Sequence, residues 1–107
     1  MGIVFVLTGG IKDGKREEFH ALMKKFQKIM KADPKVFEGL ISFRLFEQEY
    51  GGVAGTYVEM CEFKSMEDLE KSDRFLENKE FKELMTEWHK MKDHHTPVTK
   101  SIWNTVV

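Results

Sequence analysis

Residues 40–63 decide the fold and read LISFRLFEQEYGGVAGTYVEMCEF. Two segments, 40–50 and 53–63, are rich in aromatic, β-branched and other apolar residues, which is typical of strands. Gly51 and Gly52 separate them, and paired glycines suit the positive φ angles of a tight hairpin turn. These residues therefore predict an antiparallel hairpin.

The two-glycine turn also predicts which residues lie opposite each other. Tyr50 opposes Val53 in this register, so Arg44 opposes Glu59. The register pairs opposite charges and sets apolar residues against apolar ones, which favours it. Gly55 leaves open a bulge that would shift the pairing.

Elements on both sides of the hairpin complete the architecture. Residues 3–8 (IVFVLT) predict a buried strand, which Gly9-Gly10 ends. Apolar residues then recur at helical spacing from Phe19 to Met30, and this helix stops before Pro34. After the hairpin, the predicted elements are a helix in two pieces, roughly 66–77 and 79–92, with a break or second cap at Asn78, and a last strand at 98–107.

The order of elements is strand, helix, strand, strand, helix, strand. This order is typical of the ferredoxin-like βαββαβ fold, an α+β class in which both helices cover one face of a four-stranded antiparallel sheet. We expect one domain over residues 1–107.

The two faces of the hairpin differ in character. The helix-covered face is assigned the set without interior polar residues: Ile41, Phe43, Leu45, Val58 and Met60. The opposite face is assigned Leu40, Ser42, Arg44, Phe46, Tyr57, Glu59, Cys61 and Phe63, joined by Trp103 or Ile102. This second set is too apolar for a wet surface and too polar for an ordinary core. It predicts a homodimer whose sheets pack together, or a lined cavity; a solvated face with a few tolerated aromatics is the alternative.

Composition argues against several kinds of partner. The formal net charge is −1, and basic and acidic residues are interspersed, which disfavours nucleic acid and membrane surfaces. Cys61 is the only cysteine, so no internal disulfide forms, as is usual in a reducing cytoplasm. No stretch approaches the roughly 20 apolar residues that cross a bilayer. We expect a cytoplasmic protein.

Three short stretches carry a family resemblance: residues 13–19 (DGKREEF), 61–69 (CEFKSMEDL) and 78–82 (NKEFK). They resemble stretches of the dimeric α+β barrel proteins, especially the antibiotic-biosynthesis-monooxygenase-like group. In that group the corresponding stretches are the start of helix one, the third strand with its capped helix, and a following motif of asparagine or serine, two variable residues and phenylalanine. The resemblance implies a homodimer in which two sheets form one barrel. It also implies a pocket between the sheet and the helices of each subunit.

Members of that group include cofactor-independent oxygenases of aromatic polyketides or quinols, and heme-degrading enzymes. The heme-degrading members use an asparagine on strand one, and a tryptophan and a histidine on helix two. Strand one has no asparagine here, and Phe75 and Met85 lie near where the other two belong. This departure argues against heme degradation. No cofactor is expected, and no catalytic residue is carried over from the group.

Histidines crowd the end of the second predicted helix, at His89, His94 and His95. Their spacing is poor for a metal site, because two ligands on one helical face lie three or four residues apart. Positive side chains there suit the exposed carbonyls of a helix end. His89, at the rim of the apolar stripe, and His20 are the candidate catalytic bases; a solvated position is the alternative for both.

The candidate ligand-binding residues are Arg44, Tyr57, Glu59, Trp88 and Trp103. Arg44 with Glu59 would orient a polar group of a ligand, or would serve as a structural cross-strand pair. The tryptophans would wall an aromatic pocket, or would pack.

Two functions follow from these features. The first is a cofactor-independent monooxygenase that deprotonates a planar aromatic substrate, so that the anion reacts with oxygen. The second is a non-catalytic module for ligand binding or assembly. The charge balance disfavours a third, RNA binding on the sheet.

Overall fold

The described part of the chain alternates strands and helices in the predicted order. The computed structural model describes residues 2–49 and 55–106. The elements are β1 (Ile3–Gly10), α1 (Arg16–Ala32), β2 (Leu40–Glu47), β3 (Thr56–Phe63), α2 (Met66–Glu70), a 3₁₀ segment (Ser72–Glu77), α3 (Lys79–Met91) and β4 (Thr99–Asn104). The four strands form one antiparallel sheet in the order β2-β3-β1-β4. This topology confirms the ferredoxin-like α+β fold.

Helix α1 begins and ends as the sequence predicts. Its buried residues, Phe19, Met23, Phe26 and Ile29, recur at intervals of three or four residues and form one stripe against the sheet. The last backbone bond runs from the N–H of Asp33 to the carbonyl of Ile29, at 3.2 Å. Pro34 then prevents another turn, since the residue before a proline is driven out of the helical region.

The second helical region is divided by side-chain caps. Ser65 Oγ accepts the backbone N–H of Asp68 at 3.2 Å and starts α2. Asn78 Oδ1 accepts the N–H of Phe81 at 2.9 Å and starts α3. The predicted break at Asn78 is thereby confirmed. Trp88 lies on the buried face of α3.

The register of the hairpin differs from the prediction by one residue. Arg44 lies opposite Met60, and Leu45 lies opposite Glu59. The predicted Arg44–Glu59 pair is therefore wrong. The backbone N–H of Gln48 still donates to the carbonyl of Thr56 at 3.0 Å, so the pairing near the hairpin end follows the observed register. The proposed Gly51-Gly52 turn lies outside the described residues.

An irregularity in β2 accompanies this register. The pairing passes from Leu40 opposite Phe63 to Ser42 opposite Glu62, so Ile41 is an extra residue in its strand. Ile41 is exposed rather than packed under the helices, which corrects its assignment.

A one-residue slip turns every side chain of a strand to the other face. We call the face of the sheet toward the helices inner and the opposite face outer. On β3, the inner side chains are Tyr57, Glu59, Cys61 and Phe63, and the outer ones are Val58 and Met60. The prediction had placed all six on the other face and was wrong. Strand β2 follows the prediction at five positions, with Phe43 and Leu45 on the inner face and Ser42, Arg44 and Phe46 on the outer face. Leu40 was predicted on the outer face but packs against the core. The inner face therefore receives the polar side chains of β3.

Strand β1 runs through the two glycines that were predicted to end it. An added Cβ at Gly9 would lie 2.9 Å from the Tyr57 hydroxyl oxygen, and one at Gly10 would lie 2.5 Å from Oγ1 of Thr96. The glycines are thus sites of close approach, where only hydrogen leaves room for the neighbouring side chain.

Candidate functional site

A group of polar side chains lies inside the layer between the sheet and the helices. We call Tyr57, Glu59, Trp88 and Lys92 the interior polar cluster. Tyr57 and Glu59 alternate along β3 and are 1% and 5% exposed, and Trp88 on α3 is 7% exposed. Such side chains are rarely buried in a small core without partners, which makes the cluster the leading candidate site.

The polar atoms of the cluster lack normal hydrogen bonds within the described residues. The Tyr57 hydroxyl and the Trp88 indole nitrogen are both buried and unpartnered. The indole lies near enough to lower the pKa of Tyr57 slightly, but the two groups do not meet hydrogen-bond geometry. No hydrogen bond or ion pair joins the Glu59 carboxyl to another described residue. An unsatisfied buried group costs about 1–3 kcal/mol, so two such groups beside a buried carboxyl indicate a functional role.

Burial controls the electrostatics of the cluster. It raises the pKa of Glu59 to about 8, although the Lys92 ammonium acts in the opposite direction. Burial, with the charge of Glu59, raises the pKa of Tyr57 to about 12 and that of Cys61 to about 12. Burial also lowers the pKa of Lys92, whereas the negative charge of ionised Glu59 raises it. At neutral pH, Glu59 is therefore mostly a neutral acid and a hydrogen-bond donor.

Lys92 is held at the cluster by its backbone. It follows the last residue of α3 and pairs with Ile11 in an isolated bridge. On its two sides, the Lys12 N–H donates to the Met91 carbonyl at 2.9 Å, and the Asp93 N–H donates to the Gly10 carbonyl at 2.9 Å. The Lys92 Nζ lies 4.5 Å from the centre of the Trp88 ring. This distance is within the range of a cation–π contact.

A second polar group lies at the surface between α1 and the end of β2. The guanidinium of Arg16 donates to both carboxylate oxygens of Glu47, at 3.0–3.2 Å, and His20 Nε2 contacts the same carboxylate. The bond from Arg16, followed by that from His20, lowers the pKa of Glu47. These pairs are partly exposed, so each contributes little to stability.

Two open cavities flank this surface group. The larger, about 620 Å³, is lined by Arg16, Phe19 and Glu47 among others, and the smaller, about 320 Å³, by His20, Phe43, Leu45 and Glu47 among others. Glu59 lines neither of them. The Phe19 ring lies 5.0 Å from the Tyr57 ring, however, so one aromatic side chain separates the larger cavity from the interior polar cluster.

The structure brings together only some of the predicted site residues. Tyr57, Glu59 and Trp88 meet inside the molecule, whereas His20 lies at the neighbouring surface. His89 is exposed on α3. Arg44 lies on the outer face, 5.0 Å above the Phe46 ring, and Trp103 is 61% exposed on the edge strand β4. The five predicted ligand-binding residues therefore divide between the two faces of the sheet.

Sequence reasoning missed three residues at these sites: Lys92, Arg16 and Glu47. Lys92 had a local signal, because it lies four residues after Trp88 and therefore on the same side of a helix. Glu47 had none, because its partners Arg16 and His20 are about thirty residues away in the chain. His94 and His95 are exposed in the turn after α3, and no group of three potential metal ligands occurs among residues 2–49 and 55–106.

Comparison with known proteins identifies the fold. The sequence matches no protein-family model and no curated protein. Among solved structures, a NIPSNAP family protein from Agrobacterium tumefaciens has a TM-score of 0.75 at 18% identity, over 99% of this chain and 94% of that one. A protein from Caulobacter crescentus assigned as an antibiotic biosynthesis monooxygenase has a TM-score of 0.74 at 17% identity, over 99% and 91%.

A third similar structure is that of a variant of SnoaB, a cofactor-independent oxygenase from Streptomyces nogalater, with a TM-score of 0.67 at 12% identity, over 97% of this chain and 92% of that one. These likenesses show that the chain has the fold of the dimeric α+β barrel proteins. No helix in the described part of the chain is both long and apolar enough to span a bilayer.

Proposed function

We propose that the protein is a cofactor-independent monooxygenase of small hydroxylated aromatic compounds, with the interior polar cluster as its site. The observation that carries the proposal is Glu59, a buried carboxyl without a partner, set beside the unpartnered polar atoms of Tyr57 and Trp88. The cluster sets a few polar groups among apolar core side chains, a combination typical of small-molecule sites. The fold shared with the oxygenase SnoaB supports the same reading.

In the proposed reaction, the Glu59 carboxylate removes a proton from a ring CH₂ group that is activated by conjugation. The resulting carbanion, stabilised as a phenolate or enolate, adds molecular oxygen to give a peroxide anion. Protonated Glu59 returns its proton to this anion, and the hydroperoxide loses water to leave a carbonyl. One oxygen atom thus enters the substrate and the other leaves as water, with the substrate supplying all the electrons.

The raised pKa of Glu59 suits this role. A carboxylate of ordinary pKa is too weak a base to deprotonate such a carbon, while a base that titrates near the working pH combines strength with availability. Burial supplies that shift at Glu59. His20 contacts Glu47 at the surface and His89 is exposed on α3, so neither histidine has a role in the proposed reaction.

Oxygen consumption with a panel of quinols and hydroxylated polycyclic compounds tests the proposal. Wild type should consume oxygen with at least one of them, and Glu59→Gln should abolish that activity. Glu62→Gln is the matched control, since Glu62 is the next acidic residue of β3 but lies on the outer face opposite Ser42. No oxygen uptake across the panel, or equal loss in both variants, would contradict the proposal.

A non-catalytic ligand-binding module is the second candidate. The open cavities favour this function, because neither is lined by Glu59. A ligand bound in the larger cavity would contact Phe19 and would not contact the proposed base. Native mass spectrometry of the purified protein distinguishes the two. A retained ligand that is never turned over in air would support this alternative.

We further propose that the protein is a cytoplasmic homodimer joined through the outer faces of its sheets. The outer face carries a broad apolar set: Val4, Val6, Phe46, Val58, Met60 and Trp103. Phe46 and Trp103 are 40% and 61% exposed. A second copy would remove this surface from water, and Arg44, above the Phe46 ring, would lie inside the interface.

A further inference from the structure

We infer that Lys92 is a further ligand-binding residue of the interior polar cluster, and that with Tyr57 and Trp88 it selects ligands whose polar edge carries an anionic oxygen, such as a phenolate or enolate. This inference rests on the proposed function and narrows its substrate class. It concerns a residue that lies outside β3 and is brought near Glu59 by the tertiary fold.

The first support is the position of Lys92. Backbone bonds on both sides of it, from Lys12 to Met91 and from Asp93 to Gly10, tie this segment to the end of β1. Its half-buried side chain extends over the Trp88 ring, with Nζ 4.5 Å from the ring centre. The cation therefore lies over the indole whose N–H is unpartnered.

The second support is the balance of donors and acceptors. The Tyr57 hydroxyl, the Trp88 N–H, the protonated Glu59 carboxyl and the Lys92 ammonium can all donate. A ligand that satisfies this set must present acceptors, and the ammonium favours an acceptor with negative charge. The hydroxyl oxygen of a neutral ring can also accept, but it offers no negative charge to pair with the Lys92 ammonium.

Few charged or titratable side chains interact with Glu59 among residues 2–49 and 55–106. Tyr57 and Cys61 face it from β3, and Lys92 faces it from the segment after α3. Lys100 on β4 acts on Lys92. Lys92 is therefore the cation that acts on Glu59, and its removal should affect both the carboxyl and any bound anion.

The ligand test uses 4-nitrophenol, whose ionised and neutral forms absorb at different wavelengths. The proteins carry Trp103→Phe, so that Trp88 is the only tryptophan and its fluorescence reports binding. With wild-type Lys92, bound 4-nitrophenol should ionise about one pH unit below the free compound, a tenfold preference for the anion. Lys92→Met should lose this preference, and Lys92→Arg should retain most of it. Lys90→Met is the matched control, because Lys90 is exposed and pairs with Glu87.

A second measurement does not depend on any ligand. Carbon-13 NMR of the Glu59 carboxyl should show a higher pKa in Lys92→Met than in wild type, and no change in Lys90→Met. If wild type fails to bind the probe, the ligand-binding role of Lys92 is overturned even where this shift is seen, while oxygen uptake with the substrate panel tests the proposed function separately. Unchanged probe ionisation and unchanged Glu59 titration in Lys92→Met would overturn the inference. Thermal melting checks folding, and Lys92→Gln replaces the methionine variant if that one does not fold.

Discussion

Leu45 lies directly opposite Glu59 in the β2–β3 ladder. Because opposite residues share a face of the sheet, the Glu59 carboxyl is buried with apolar side chains under the helices. Arg44, one residue before Leu45, lies on the outer face and cannot neutralise it. The unpaired carboxyl determines how stability and activity should depend on pH.

Stability should fall as pH rises from about 5 to about 8. The pKa of Glu59 is about 8 in the folded protein and near its ordinary value when unfolded, so the folded state binds more protons within this window. Glu59 should lower the free energy of unfolding by up to about 1.4 kcal/mol for each pH unit there. Glu59→Gln stays neutral and should lose this dependence, while Glu62→Gln should keep it. Urea unfolding across this range measures the difference; parallel curves for wild type and Glu59→Gln would contradict it.

The proposed oxygenation should be faster in mild alkali. Only the deprotonated form of Glu59 removes a proton, so kcat/KM should rise about tenfold per pH unit below pH 8 and level off above it. Initial rates of oxygen uptake over pH 6 to about 9.5 give the profile. A profile without any inflection near pH 8 would assign the base to another group.

Charge on the outer face should separate the proposed dimer. Phe46→Glu with Trp103→Glu places carboxylates in an apolar interface, where an unpaired charge is strongly disfavoured. Light scattering after size-exclusion chromatography should show a dimer for wild type and a monomer for this variant. Leu76→Glu is the control, since the exposure of Leu76, 48%, lies between those of Phe46 and Trp103, but Leu76 belongs to the 3₁₀ segment and not to the sheet. A wild-type monomer at micromolar concentration would disprove the interface.

Gly10→Ala should be destabilising by about 1–3 kcal/mol, because its Cβ would lie within 3 Å of three side-chain atoms of Thr96. The double variant Gly10→Ala with Thr96→Gly lacks those side-chain atoms. Its loss of unfolding free energy should therefore be smaller than the sum of the losses in the two single variants. Thermal and urea unfolding of the two single variants and the double variant give the coupling. Additive losses would show that the close approach is not the cause.

The amino-acid sequence alone determined which segments are helices and strands, and in what order. The spacing of Phe19, Met23 and Phe26 marks a helix, Pro34 ends it, and Asn78 starts the next. These signals are local, since each depends on the chain within a few residues. Their order then selects the ferredoxin-like topology, and the likeness to solved structures of that fold agrees with it.

Only the tertiary structure decided which side chains share the site. Strand side chains alternate with a period of two, so a one-residue difference in pairing sends Tyr57 and Glu59 under the helices instead of away from them. The observed pairing buries Tyr57 and Phe63, a gain that the Gly51-Gly52 turn signal alone does not reveal. Lys92 reaches Glu59 only because backbone bonds join the end of α3 to β1. Contacts between distant elements leave no periodic trace in a single sequence, which is why the burial of Glu59 and its proximity to Lys92 emerged only from the fold.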